Sequence, residues 1–585
     1  MHAKILLYIN ALAVFFSFSV LAAASSNGST KVPACRYMPG DSEWPSDNDW
    51  QQLNQTIGGK LIRGVPMARP CYAGSDYDPK ICATLASTWE NQEPYIVDPV
   101  NIMSPYWQNN SCSPFSPYVG SNGTGTCELG HVAQYAINVS DAATVIAGLQ
   151  FATEKNIRVT IRNTGHDQLG RSAGMGSLTL WTHNLKNSSF FNYTSDHYSG
   201  PALKAGAGME VLETYEAASK HGLRVTGGSC PTVGLAGGWL PGGGHGPLTS
   251  AYGLGADQAL EFEVVTANGT LLTATPTENE DLYWALSGGG PGNYAVILSV
   301  TIKAYADGPV AGSYFLIQNT DAEAFWSAVK VWLKHMLVLD TIPGLKTIID
   351  LSNEYFLLDF ATWPGATAED MTAALLPFVE EVRTLNLSII SNETNVYPTF
   401  LEHYNFFVGT DPIPNDLSVN DRLIPRSLVQ NDTTLQAFVD QVRAITGNYS
   451  DSEFVFVAGN VTYKRTNVTE GFNSVLPAWR DSLFAMNFGL TLSDNATWDV
   501  MSANQATINR WHDGFRDLTP GGGSYMNEAT FDDPEWKGDF FGENYDRLET
   551  IKNKYDAGHV FWTHAAVGSD ALTVAEDGRL CTCTV

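Results

Sequence analysis

Three glycine-rich stretches hold the residue types best suited to gripping a phosphorylated or reactive ligand. The first is Ile161-Arg162-Asn163-Thr164-Gly165-His166-Asp167. The second is Gly227-Gly228-Ser229-Cys230-Pro231-Thr232-Val233-Gly234, running on through Gly237-Gly238 to Gly242-Gly243-Gly244-His245-Gly246. The third is Ser287-Gly288-Gly289-Gly290-Pro291-Gly292-Asn293. Glycine lets backbone approach a ligand closely and accepts positive φ, and successive N–H groups in such loops form nests for a pyrophosphate. His166 adds an imidazole and Cys230 a thiol, both nucleophiles. Taken singly, each loop reads most simply as a structural turn, and each lone His or Cys as a packed side chain.

The elements around these loops form a pattern. Ala136–Val139 reads as a strand, Ser140 as an N-cap, and Val145, Ile146, Leu149 and Phe151 as the apolar face of a following helix. Arg158–Arg162 alternates like a strand and delivers the chain into the first loop. A second round follows: a strand near Leu203–Ala205, a helix over Glu210–His221 and a strand at Leu223–Thr226. Glu261–Thr266 and Thr270–Ala274 form a hairpin turning at Asn268-Gly269. A short helix, Glu278–Leu286, then leads through the third loop into a strand, Tyr294–Lys303. Beyond residue 306 glycine thins out. Strand-like runs such as Tyr355–Phe360 and Glu453–Val457 stand beside amphipathic helices such as Ala368–Thr384, the texture of an α+β unit on an antiparallel sheet.

The order and spacing of the loops carry more than any one of them. Arg-x-x-Gly-His at 162–166, Gly-x-Cys-x-x-Val-Gly at 228–234, and Leu282-Tyr283-Trp284-Ala285-Leu286 ahead of Gly288-Gly289-Gly290 resemble the berberine-bridge-enzyme-like FAD-linked oxidases of the vanillyl-alcohol-oxidase superfamily. The end of the chain is similar too, in Tyr525-Met526-Asn527-Glu528, in Asn544-Tyr545 to Asp556, and in Val560-Phe561. Cys35-Arg36 with Pro39-Gly40-Asp41, and Arg69-Pro70-Cys71-Tyr72, resemble secreted fungal members, some described as isoamyl alcohol oxidases. The likeness is strong over about 130–305, good over 520–562, and positional only between them.

The resemblance implies a flavin, FAD, held by two covalent bonds: an 8α-histidyl link on His166 and a 6-S-cysteinyl link on Cys230. Arg162, Asn163, Thr164 and Gly165 would hold the diphosphate, and Gly234, Gly237, Gly238, Gly242 and Gly243 would line the isoalloxazine. Val233 matches the position where a valine leaves room for O2, which implies an oxidase. Tyr525 matches a catalytic phenol, with Asn527 orienting substrate. Three residues on, family members often carry a tyrosine; here the residue is Glu528, a carboxylate base or a surface residue. Asp359 and His403 are lesser candidates in the presumed substrate unit.

Composition bounds the partners. Lys and Arg total 33 against 61 Asp and Glu, a formal charge of −28, so phosphate backbones and anionic membrane surfaces are repelled. Lys4, the apolar run Ile5–Leu21 and Ala22-Ala23-Ala24 read as a cleaved secretory leader. Sequons such as Asn54, Asn122, Asn192, Asn392 and Asn460 are dense, as in a secreted glycoprotein. Cys35, Cys71, Cys82, Cys112 and Cys127 crowd the first segment and Cys581 and Cys583 the last, so disulfides are expected with their pairing open. If Cys230 has another task, seven remain and one must be left over.

These readings combine into an α+β, two-domain fold of the vanillyl-alcohol-oxidase (PCMH) type with an antiparallel-sheet substrate domain. Its expected parts are a leader (1–24), a disulfide-rich, mostly irregular segment (25–129), an FAD-binding domain (130–305), a substrate domain (306–520) and a C-terminal return (521–585). The expected activity is that of a monomeric, extracellular oxidase. It passes hydride from an alcohol or carbohydrate hydroxyl carbon to FAD, and O2 becomes H2O2. An oxidoreductase of secondary metabolism, or a flavin-bearing glycoprotein that only binds, is the alternative. Gly206-x-Gly208 lacks the third glycine of a dinucleotide fingerprint, and the zinc motif H-E-x-x-H does not occur, so no metal site is expected.

Overall fold

The computed structural model describes residues 35–116, 119–120, 125–409, 417–493 and 495–583. The leader expected over 1–24 and the sequon at Asn122 lie outside them. Three short strands, Tyr135–Asn138, Leu178–Trp181 and Val159–Arg162, pair in parallel, and Leu61–Arg63 joins the Tyr135 strand antiparallel at the edge. A parallel pair needs a crossover, here the helix Ala142–Glu154, which buries Val145, Leu149 and Ala152 on the sheet. The N-cap is Asp141 rather than Ser140. The Asp141 carboxylate accepts from the Thr144 N–H at 2.8 Å while Ser140 Oγ donates to that same carboxylate. Of two adjacent capping side chains, the anionic one gains more from the helix dipole.

A second, five-stranded antiparallel sheet follows, in the order Ser188–Thr194, Ser199–Gly206, Ala295–Lys303, Ala259–Thr266, Leu271–Ala274. Its hairpin turns at Asn268-Gly269 as the sequence indicates, with Gly269 at φ +79°. The expected strand Leu223–Thr226 shrinks to Leu223–Arg224, because the chain turns there into the cysteine loop.

Residues 310–491 build a seven-stranded antiparallel sheet, ordered Ile389–Tyr397, Val310–Gln318, Tyr355–Pro364, Lys346–Leu351, Ser452–Gly459, Ser482–Thr491, Leu417–Pro425. Helices Ala322–Leu339, Ala368–Thr384, Asp432–Asn448 and Trp498–Leu518 pack on one face around Trp332, Phe356, Phe378 and Phe515. On the other face Ile348, Phe360, Val457 and Ala485 meet Leu254, Val475, Trp479 and Tyr525, so this sheet closes over the glycine-rich loops. A buried ion pair locks the junction. Both Arg480 Nη atoms reach Asp257, at 2.8 and 2.9 Å, and Asn473 donates to the same carboxylate at 2.7 Å.

The segment before residue 130 is more ordered than its composition suggests. It contributes helices Asp47–Thr56 and Pro79–Ser87 and the edge strand Leu61–Arg63, and Trp50 stacks on Tyr135 at 4.0 Å. Elements of three to ten residues among prolines carry too little periodicity to register. Cys71–Cys82 and Cys112–Cys127 staple this segment, and Cys35–Cys581 ties it to the C-terminus. Cys230 and Cys583 are free thiols, so the cysteine left over is Cys583. The chain returns after residue 521: Phe540, Phe541, Leu548 and Ile551 join the core that holds Leu282–Leu286. The buried Lys552 ammonium donates to the Asn293 and Phe561 carbonyls and to Asp556.

Candidate active site

The strand Val159–Arg162 ends in the loop 163–168, which forms one wall of a cavity of about 300 Å³. The cysteine loop, Gly237, Gly238 and the third glycine loop form other walls, and Tyr525, Asn527 and Glu528 come from the C-terminal return. Residues separated by more than 350 positions therefore share one enclosure.

At one edge His166 and Cys230 meet through Thr232. His166 Nε2 lies 2.8 Å from Thr232 Oγ1, which donates to Gln92 Oε1 at 2.8 Å. The Cys230 thiol donates to the same Gln92 oxygen at 3.4 Å and lies 3.5 Å from Thr232 Oγ1. Burial, aided by the Arg162 charge, drops the His166 pKa to about 4, so the ring is a neutral nucleophile at neutral pH. Burial pushes the Cys230 thiol up despite the hydrogen bonds of Thr232 and Gln92.

The other candidates fall into two sets. Asn163, Thr164, Gly165, Val233, Gly237 and Gly238 line the cavity. Arg162, Gly234, Gly242 and Gly243 do not, and three of them act one layer behind. The Arg162 guanidinium lies beneath the loop, donating to the Asp98 and Tyr95 carbonyls, and a Cβ on Gly165 would come within 2.5 Å of it. Its Nη1 is buried without a protein partner, and burial lowers its pKa only to about 10, so it remains a cation behind the loop. A Cβ on Gly234 would sit 2.0 Å from Asn163 Oδ1, and one on Gly242 would sit 2.2 Å from Asn527 Nδ2. These glycines admit the two asparagine side chains. Gly243 keeps φ at +114°, where only glycine is unstrained.

Opposite the histidine, Asn527 Nδ2 donates to the Tyr525 hydroxyl at 2.9 Å and to the Gly238 carbonyl at 3.0 Å. Arg171 Nη2 donates to Asn527 Oδ1 at 3.0 Å and is itself held by Asp167. Glu528 is not a surface residue. Its carboxylate accepts from His245 Nε2 at 3.0 Å, and its side chain, 34 % exposed, opens on the cavity it lines. Burial raises its pKa, but His245, Asn487 and the Lys346 charge outweigh that and hold it below the usual range. Burial and the Glu528 charge push the Tyr525 phenol far up. The wall thus pairs a carboxylate ready to accept a proton with a phenol that keeps its own.

His403 and Asp359 stand apart from this cavity: His403 is fully buried with Nε2 2.9 Å from Thr362 Oγ1, and Asp359 lies on the sheet beside Glu453. Among the described residues His512, Asp533 and Asp539 have metal-ligand spacing, but Arg422 and Arg516 thread between them at 2.5–2.9 Å and supply the positive charge. Sequence reasoning missed Gln92, Thr232, Arg171 and Lys346, and gave His245 no role. Thr232 stands in the cysteine motif and was within reach; a single glutamine in a proline-rich segment gives no signal.

Unpartnered Arg162 Nη1 beneath the loop 163–168, Gly238 open to the cavity, and two nucleophiles at one edge together fit a long, planar, anionic cofactor. Residues 133–275 match the FAD binding domain family and residues 524–568 the family described as berberine and berberine like. The chain is 37 % identical to the VAO-type flavoprotein oxidase VAO615 of Thermothelomyces thermophilus, over 97 % of this chain and 98 % of that one. The crystal structure of the VAO-type flavoprotein MtVAO615 from Myceliophthora thermophila superposes with a TM-score of 0.88 at 37 % identity, covering 94 % and 100 % of the two chains. At 20 % identity and TM-score 0.63, covering 75 % and 92 %, a glucooligosaccharide oxidase of Acremonium strictum with 6-S-cysteinyl, 8α-N1-histidyl FAD shares the fold. The chain belongs to the VAO-type, FAD-linked oxidoreductases.

Proposed function

We propose that this oxidoreductase is a secreted oxidase that takes hydride from the hydroxyl-bearing carbon of an alcohol or carbohydrate, with FAD bonded to both His166 and Cys230. The observation that carries the reading is the meeting of His166 and Cys230 across one cavity edge, with Tyr525, Asn527 and Glu528 in another wall of the same cavity. When bound, FAD supplies a two-electron acceptor whose reduced form is reoxidised by O2 to H2O2. The chain supplies the rest. Glu528, ionised and oriented by His245, takes the hydroxyl proton; Tyr525 and Asn527 hold the substrate oxygen; Val233 leaves space for O2. Extracellular placement is supported by the leader-like residues 1–24, the dense sequons and the three disulfides. No described helix is long and apolar enough to cross a membrane.

Acid precipitation of the purified protein tests the cofactor reading. Yellow colour is expected to stay with the pellet, to persist when either His166→Ala or Cys230→Ala is made alone, and to leave it only in the double variant. Colour released from the unmutated protein sinks the covalent assignment. A peroxide-release screen across primary and secondary alcohols, monosaccharides and oligosaccharides tests the reaction; silence on every member overturns it.

A further inference from the structure

Gln92 enters the site from outside the glycine-rich loops, yet it ends the hydrogen-bond chain that begins on His166. The residue is buried, at the start of the short helix Glu93–Ile96 in the disulfide-rich segment. Its Oε1 has lone pairs and no proton, and two donors converge on it: Thr232 Oγ1 at 2.8 Å and Cys230 Sγ at 3.4 Å. The threonine hydroxyl has one proton, and that proton is committed to Gln92. Towards His166 the same oxygen can only accept, so the proton of the neutral imidazole must sit on Nε2. Nδ1 is left with its lone pair, and no described residue donates to it.

We propose that Gln92 is a positioning residue for cofactor attachment: through Thr232 it fixes the tautomer of His166 and thereby makes Nδ1 the atom that bonds the flavin 8α carbon. This rests on the flavin-attachment reading above. The bond balances simply. One methyl C–H and the imidazole Nε2–H are given up, a C–N bond forms, and two electrons with two protons leave on O2 as H2O2. The Gln92 acceptor thus orients the histidine for its link, while the Cys230 thiol stands at the same edge, 3.4 Å from the same oxygen. A leucine there fills similar volume but cannot accept a hydrogen bond.

The test compares the wild type with Gln92→Leu, Gln92→Glu and Thr232→Val, all purified with their flavin. The readouts are the mass of the His166 and Cys230 peptides and the bonded nitrogen, assigned by NMR of the isolated flavinyl peptide. In the wild type and in Gln92→Glu, which keeps an acceptor, the flavin is expected on Nδ1. In Gln92→Leu and Thr232→Val the Nδ1-bonded share is expected to fall about threefold to tenfold, the factor one net hydrogen bond carries. The Cys230 bond is retained in both and reports a folded, loaded protein. Full Nδ1 bonding in Gln92→Leu overturns the role given to Gln92. A wild type with no flavin on His166 instead overturns the attachment reading beneath it.

Discussion

Glu528→Gln is expected to lower kcat by about 10²–10⁴-fold, the range for losing a positioned general base, while flavin content stays at the wild-type level. Glutamine preserves the shape and can still accept from His245, so the loss isolates the proton-accepting function. The pH profile gives the second half of the result. The Glu528 carboxylate is held below its ordinary range, so the base is present at neutral pH and is lost only as pH falls through that lowered value. The acid limb owed to this group is therefore expected in the wild type and absent in the variant. Tyr525→Phe should cost less, because a phenol pushed far up by burial and by Glu528 does not serve as a base. Rates in Glu528→Gln within a few-fold of wild type, beside a collapse in Tyr525→Phe, would reverse the two roles.

The second large effect concerns the junction between the two sheets. Arg480→Met is expected to destabilise the protein by about 3–5 kcal/mol, because it strands the Asp257 carboxylate in the interior. Arg480 and Asp257 are 5 % and 0 % exposed, and two neutral donors, Asn473 and the Leu254 N–H, would remain beside the charge. Pairing the change with Asp257→Leu removes the orphaned charge and should restore much of the loss. Thermal unfolding of the three variants reads this directly. A melting temperature in Arg480→Met equal to wild type would mean that water reaches Asp257 and that the junction is looser than its burial indicates.

Much of the FAD-binding half was legible because its signals are local. A strand ending in Gly-His, a Gly-x-Cys loop and an Asn-Gly hairpin each carry their geometry in a few residues, and the helix Ala142–Glu154 shows its apolar face at the helical period. The strand Leu178–Trp181 escaped notice because all four residues are buried, which erases the alternation a half-exposed strand would show. Ser188–Thr194 escaped for the opposite reason, being an exposed edge strand of mostly polar residues. In the site, His166 and Cys230 were readable as residue types in unusual loops. The relay through Gln92 was not, since it depends on a tertiary contact across 140 positions that leaves no periodic trace.

The covalent stitch between Cys35 and Cys581, 546 residues apart, and the placement of residues 525–528 in the cavity wall bear on the order in which the protein is made. A chain emerging from the ribosome N-terminus first can form the parallel strands and the cysteine loop early, since they are close in sequence. It cannot enclose a cofactor then, because the Tyr525–Glu528 wall lies far downstream of the cysteine loop and the closing bridge needs Cys581. Enclosure thus waits until Cys581 has been made, and a chain cut before it would leave the first and last described segments unjoined.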